Sequence, residues 1–514
     1  MKKNFYIELI FLILLGVFTS LSLPPYNYLL INFITLSLFY IFLVKKNVTN
    51  KNKIYFFLYG WLFGFGYFAS NLYWISISLT FDEELKFLIP LTLILVPGLI
   101  ALFYALASYL FVILKPKKNI SSFFLFSVIF GIIEFLRGSI LTGFPWNLIA
   151  YSFSNQLEIL NITSLIGTYG FNLFCISLFI SPSILVLGDN KKDVSICVIF
   201  LILTISFYFF GAQNLQQFNK KTQDKLNYKI RLVGSNINID RFYNNIDPIL
   251  GIEDLIEISS PKKNEKTIFI WPEGVIPGIS HHQLKEYKWL FENKFNENHL
   301  LAIGINIKEK ENQNIKYFNS LTIYDHNINI INSYKKINLV PFGEFIPFEN
   351  VLNKFGLKTI TNNIGSFDKG SSRQIIQLKN DDKKINFLPL ICYEIIYSGN
   401  LTKNFDFDFI LNVSEDGWFG KSIGPKQHFT HSKFRAIENG KYVIRSSNNG
   451  KAAIINPLGY IEKKIDYGIS GYIDLESIRD LKPTLFSKYG NKIFFIFILL
   501  YILLTFSFNR IKSE

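Results

Sequence analysis

Sulfur is scarce in this chain, whose 514 residues include three cysteines and one methionine. Cys175 and Cys197 lie inside long apolar runs, which leaves Cys392 without a partner and argues against a disulfide framework. Histidine is nearly as sparse. His281, His282, His299, His326, His428 and His431 form no HExxH, and no CxxC occurs, so neither pattern of metal-ligand spacing is present. There is no short-period repeat and no low-complexity linker. Acidic residues also run short, 39 against 53 Lys and Arg, for a net charge of +14.

Such an excess of positive charge raises the question of nucleic acid, and its location answers it. Apolar runs of spanning length cover roughly 5–22, 27–44, 54–79, 87–114, 121–141, 158–187, 194–211 and 493–509, each near the ~20 residues that a bilayer core requires. Lys2, Lys3, Lys45, Lys46, Lys51, Lys53, Lys115, Lys117, Lys118, Lys191, Lys192, Arg510 and Lys512 all fall in loops on one side. The opposite side carries Pro24–Asn27 and the acidic Asp82-Glu83-Glu84. Placing the basic side in the cytoplasm threads eight spans consistently, with both termini inside, and accounts for most of the net charge. Nucleic acid is not needed. The first run resembles a signal peptide, but the later spans depend on its orientation, so it is expected to be retained.

From 212 to 490 the composition turns to mixed polar and apolar, enough chain for one extracytoplasmic domain with a sizeable core. Residues 1–211 are then a seven-helix membrane domain, and 491–514 a last span with a cytoplasmic tail. Strand-like runs at 228–236, 267–271, 300–306, 319–324, 385–392, 408–414, 442–447 and 452–456 alternate with helical stretches such as 281–294 and 427–440. Many runs are apolar on both faces, which predicts an α/β protein with covered sheets.

Three stretches of this domain carry chemistry. WPEG (271–274) ends a strand on the carboxylate Glu273. In YKKINLVPFGE (334–344) the period of two puts Tyr334 and Lys336 on one face and Lys335 on the other. FLPLICYEIIY (387–397) holds Cys392 at the end of an apolar run. Taken singly, each also fits an ordinary role: a solvated carboxylate, a surface cation, a buried small hydrophobe. In the fifth span, Glu134 and Arg137 lie three apart, either a pair that neutralises itself or a feature near a lipid headgroup. Phe345, Phe348, Leu352 and Phe355 form a stripe at helical spacing, read either as core or as an arm dipping into the membrane interface. GWFGKS (417–422) is too short between glycine and lysine for a phosphate loop.

Together, Glu273, Lys336 and Cys392 resemble the triad of the nitrilase or carbon–nitrogen hydrolase superfamily. The membrane branch of that superfamily, the apolipoprotein N-acyltransferases, is similar over essentially the whole chain. TGFPWN (142–147), LVPFGEFIP (339–347), ICYEI (391–395), DGWFGKSIGPKQHF (416–429) and RSSNNG (445–450) match its segments in order. The resemblance implies an αββα sandwich inserted between spans seven and eight of a bacterial inner-membrane protein. It also implies that Glu273 is the general base, Lys336 the electrostatic stabiliser and Cys392 the nucleophile. Glu344, Tyr393 and Glu394 would support the site, with Glu344 and Glu394 orienting Lys336. Tyr243, Phe345, Phe348 and Trp418 would meet substrate. The family tryptophan after the first strand is missing, and Arg241-Phe-Tyr243 stands there instead. The implied reaction moves an acyl chain from a phospholipid, through a Cys392 thioester, to the N-terminal amine of a diacylglyceryl apolipoprotein. It needs no metal or organic cofactor, and a monomer suffices. A membrane-anchored amidase and a transporter or receptor with a sensing domain are the competing readings.

Overall fold

The computed structural model describes residues 2–188, 191–243, 247–311, 314–347, 366–380, 383–399, 401–402 and 404–510. Phe348, Leu352 and Phe355 of the aromatic stripe lie outside these residues.

Among the described residues, six helices are long and apolar enough to cross a membrane: Ile31–Thr49, Glu83–Leu114 (its first turns 3₁₀), Asn119–Arg137, Thr163–Ile180, Val194–Lys220 and Lys492–Arg510. The runs at 5–22 and 54–79 are helical as well, over Lys2–Ser20 and Ile54–Leu72. The first has a shorter apolar stretch, Phe5–Ser20. The second is interrupted by glycine, serine and asparagine, and those small residues serve packing. A Cβ on Gly60 would meet Tyr104 O at 2.4 Å, and one on Gly66 would meet Ile13 O at 2.2 Å. Close backbone approach replaces hydrophobic drive where lipid is the solvent.

Between helices Lys191–Lys220 and Lys492–Arg510 the described residues form two six-stranded sheets. The strands are β1 (Asp224–Gly234), β2 (Thr267–Trp271), β3 (His299–Glu311), β4 (Asn314–Asp325), β5 (Ile330–Lys335) and β6 (Ile376–Asn380). Then follow β7 (Lys383–Ile391), β8 (Phe409–Glu415), β9 (Tyr442–Asn448), β10 (Ala452–Ile455), β11 (Ile461–Ile465) and β12 (Gly471–Ile478). One sheet runs β12-β1-β2-β3-β4-β5 and the other β11-β10-β9-β8-β7-β6, each parallel at its centre and antiparallel outside. The inner faces meet through Ile230, Leu232, Ile270, Phe387, Leu411 and Ile444. Helix Pro248–Ser259 covers the outside of the first sheet and Gly424–Asn439 that of the second. The αββα layering is therefore present. Strands β5, β6, β11 and β12 escape the sequence pattern because they are short or have solvated faces. The expected helix over 281–294 is only two short turns, Gln283–Tyr287 and Lys288–Glu292.

The second sheet faces the membrane helices. Leu388, Leu390, Ile410, Phe434 and Ile437 belong to the same buried apolar cluster as Phe39, Phe63, Phe130 and Phe171 of the bundle. The joint is polar as well. Trp146 Nε1 donates to Gln427 at 2.8 Å, and Gln427 Nε2 donates to Asn71 at 3.0 Å. Glu438 accepts from Thr168 N at 2.8 Å and Ser398 Oγ at 2.5 Å.

Candidate active site

Strand ends bring the three sequence-flagged stretches together. Glu273 follows β2, and the loop carrying it presses onto β3, where a Cβ at position 304 would meet Pro272 O at 2.4 Å. Only Gly304 permits that approach. Lys336 follows β5, and its N–H donates to Asn319 O of the antiparallel β4 at 2.8 Å. Cys392 follows β7, whose parallel pairing sets Ile391 beside Val413 of β8 and so Cys392 beside Ser414. There the chain leaves the strand for a 3₁₀ turn, Cys392–Ile396. Cys392 sits at φ +47°, a left-handed conformation that a non-glycine residue holds only when its surroundings fix it.

Lys336 is buried between two carboxylates. Its Nζ lies 3.2 Å from Glu273 Oε1 and 2.9 Å from Glu344 Oε1. Asn319 Nδ2 donates to the same two oxygens, at 2.7 Å each. Glu415 N–H holds the other Glu273 oxygen at 2.8 Å, and Val340 N–H that of Glu344 at 2.8 Å. Lys335 points away, to Glu309 at 2.5 Å. Burial would lower the Lys336 pKa, but Glu273 and then Glu344 outweigh it and raise it well above the usual lysine range. The ammonium is therefore a fixed charge. Burial pushes the Cys392 thiol well above its ordinary value. Glu273 and Asp416 push the same way, against Lys336 and a hydrogen bond from Ser414. A resting neutral thiol must give up its proton as it attacks, and a carboxylate within its field can accept it.

The supporting residues divide. Glu344 holds Lys336 as expected. Glu394 does not touch Lys336, contrary to the sequence expectation. It accepts from the backbone N–H groups of Ile391, Ile337 and Asn338, from Tyr334 Oη at 2.8 Å and from Arg373 Nη2 at 2.9 Å. It ties the turn at Cys392 to the chain just past Lys336. Burial pushes its carboxyl up, but Arg373 and the Ile391 and Ile337 N–H groups outweigh it and hold the carboxyl below the usual range. Tyr393 Oη donates to Gly143 O at 3.0 Å, and Tyr397 Oη to Thr142 O at 2.8 Å, so TGFPWN braces the Cys392 segment directly.

Trp418 stands among Phe242, Tyr243 and Phe81, at centroid distances of 5.2, 6.3 and 6.1 Å. Burial, with Asp82 adding to it, pushes the Tyr243 hydroxyl up to about 12. Phe345 is half-buried in the turn beside Glu344.

Asn319, Ser414 and His428 escaped sequence reasoning. Asn319 and Ser414 are ordinary strand residues whose importance comes from cross-strand neighbours. His428 lies inside a quoted motif, yet no spacing rule links it to Cys392.

The family profile described as "Apolipoprotein N-acyltransferase N-terminal domain" matches residues 15–180, and "Carbon-nitrogen hydrolase" matches 242–482. An apolipoprotein N-acyltransferase of Rhodopseudomonas palustris is 30% identical over 494 residues, 93% of this chain and 91% of that protein. The chain belongs to the apolipoprotein N-acyltransferase family. The Wigglesworthia glossinidia brevipalpis member is 33% identical over 525 residues, 97% of each chain. One from Brucella melitensis is 30% identical, covering 90% of this chain and 89% of that one. In this apolipoprotein N-acyltransferase family member, the membrane helices and the carbon–nitrogen hydrolase domain occur in one polypeptide and share one buried core.

Proposed function

We propose that the protein N-acylates apolipoproteins in two steps through Cys392. Glu273 accepts the thiol proton and the sulfur attacks the ester carbonyl of a phospholipid. Lys336 stabilises the oxyanion, and a lysophospholipid leaves. The terminal amine of a diacylglyceryl-cysteine then attacks the thioester and forms the amide. One covalent intermediate lets a single pocket serve two bulky lipids in turn. The observation that carries this reading is the buried Glu273–Lys336–Glu344 cluster acting on a thiol whose next residue is anchored to the membrane-domain loop at Gly143. The fixed ammonium matches a site built for developing negative charge.

Eight spans, a hydrolase domain at 212–490 inserted between the seventh and eighth, and both termini in the cytoplasm place that domain on the periplasmic face of the inner membrane. Tyr243, Trp418 and Phe345 form the substrate wall, and Phe81 carries that wall toward the bilayer. A site that keeps water from the thioester favours the amine. The protein acts as a monomer and takes no nucleic acid. Intact-mass measurement of protein reconstituted with phospholipid tests the chemistry. An acyl mass on Cys392, discharged by a diacylated lipopeptide and absent from Cys392→Ser, is expected. A chain that transfers acyl groups without that adduct overturns the thioester route.

A further inference from the structure

Beneath Cys392 lies a buried polar network outside the Glu–Lys–Cys set. Ser414 Oγ is 3.5 Å from Cys392 Sγ and 2.8 Å from Asp416 Oδ1. The same Asp416 carboxylate receives Arg445 Nη2 at 2.9 and 2.8 Å, Ser447 Oγ at 3.2 Å and His428 Nδ1 at 2.9 Å. His428 Nε2 reaches Cys392 O at 3.2 Å. Ser414, Asp416, His428 and Arg445 are all fully buried.

The hydroxyl has one proton and two acceptors. Arg445, His428 and Ser447 already supply Asp416, so the carboxylate loses little if Ser414 turns away. A sulfur anion in a buried site is costly without a donor, and among the described residues Ser414 is the hydroxyl within reach. We propose that Ser414 is a further catalytic residue, swinging its O–H from Asp416 to the Cys392 sulfur as the thiolate forms. Glu273 takes the thiol proton, the sulfur keeps the electron pair, and Ser414 retains its own proton throughout. When the S–C bond forms the sulfur loses its charge, Ser414 returns to Asp416, and the leaving lysophospholipid oxygen takes the proton from Glu273. The role rests on Cys392 being the nucleophile, but its test does not need acyl transfer.

The test is alkylation of Cys392 by iodoacetamide across pH, read by peptide mass in the full-length protein. It compares wild type, Ser414→Ala, Ser414→Thr and Ser414→Val. Glu273, Lys336, Asp416 and His428, the charged or titratable groups around the sulfur, are the same in all four. Thr and Val fill nearly the same space and differ in the hydroxyl, so packing effects cancel between them. Losing a hydrogen bond to a charged group should slow Ala and Val by about tenfold or more at neutral pH. Their profiles should move to higher pH, while Thr stays near wild type. Profiles that superimpose for Thr and Val overturn the proposal. A normal alkylation series in a protein that forms no acyl adduct would instead overturn the two-step reaction and leave the Ser414 role standing.

Discussion

Two buried ionic clusters, one in the membrane helices and one in the hydrolase domain, show how charge ratio separates scaffold from chemistry. In the bundle, Glu134 and Arg137 pair one to one. Arg137 Nε donates to Glu134 at 3.0 Å, and its guanidinium also holds the carbonyls of Phe144 and Asn147. Tyr104 Oη caps Glu134 at 2.5 Å. The charges cancel and the surplus donors fasten the TGFPWN loop. In the hydrolase domain two carboxylates face one lysine beside a thiol; burial would lower the Lys336 pKa, but Glu273 and Glu344 together outweigh it and raise it. A balanced pair can be buried quietly, whereas an unbalanced one keeps an unspent bias for a reaction.

That contrast can be broken in order of effect. Arg137→Met leaves Glu134 unpaired and should cost about 3–5 kcal/mol of stability. Thermal unfolding in detergent should show it, while the fraction still folded keeps its Cys392 alkylation profile. If stability holds but alkylation collapses, Arg137 belongs to the chemistry. Lys336→Met does the converse. Acyl-enzyme formation should slow by about 10²–10³, a loss typical of one oxyanion donor, as measured by single-turnover release of lysophospholipid. Glu344→Gln would reduce the site to the one-to-one ratio of the membrane pair, and the same assay should fall about tenfold because Lys336 keeps its charge but loses an anchor.

The dependence on pH sharpens the same comparison. Burial and Glu273 raise the thiol pKa, so the thiolate fraction, and with it single-turnover acylation, should increase as pH rises through neutrality. A rate that stays flat over that range would mean the thiol is already ionised. The smallest effect expected is Tyr243→Phe, within about twofold of wild type. Tyr243→Ala should raise the apparent KM for phospholipid about threefold through lost aromatic wall, by analogy with single aromatic contacts.

Much of the layout was legible in the chain because bilayers and sheets impose simple periods. Long apolar runs marked the helices, and the apolar stretch 268–271 and the Tyr-Val-Ile that opens 442–447 announced central strands. The alternation at 334–336 put Tyr334 and Lys336 on one face, and both are buried. The helix expected at 281–294 failed because Phe291 and Leu290 pack as a short cap on the first sheet instead of along a continuous face.

The residues themselves determined that a scarce cysteine, one lysine and two glutamates stood ready in separate strand-end segments behind a set of apolar helices. Tertiary structure alone decided that Asn319 would bridge Glu273 to Glu344, that Ser414 would lie against the sulfur, and that Glu394 would hold backbone and not Lys336. The reason is geometric. Periodicity reports which way a side chain faces within its own element, but hydrogen bonds across β4, β5, β7 and β8 depend on register between strands far apart in the chain.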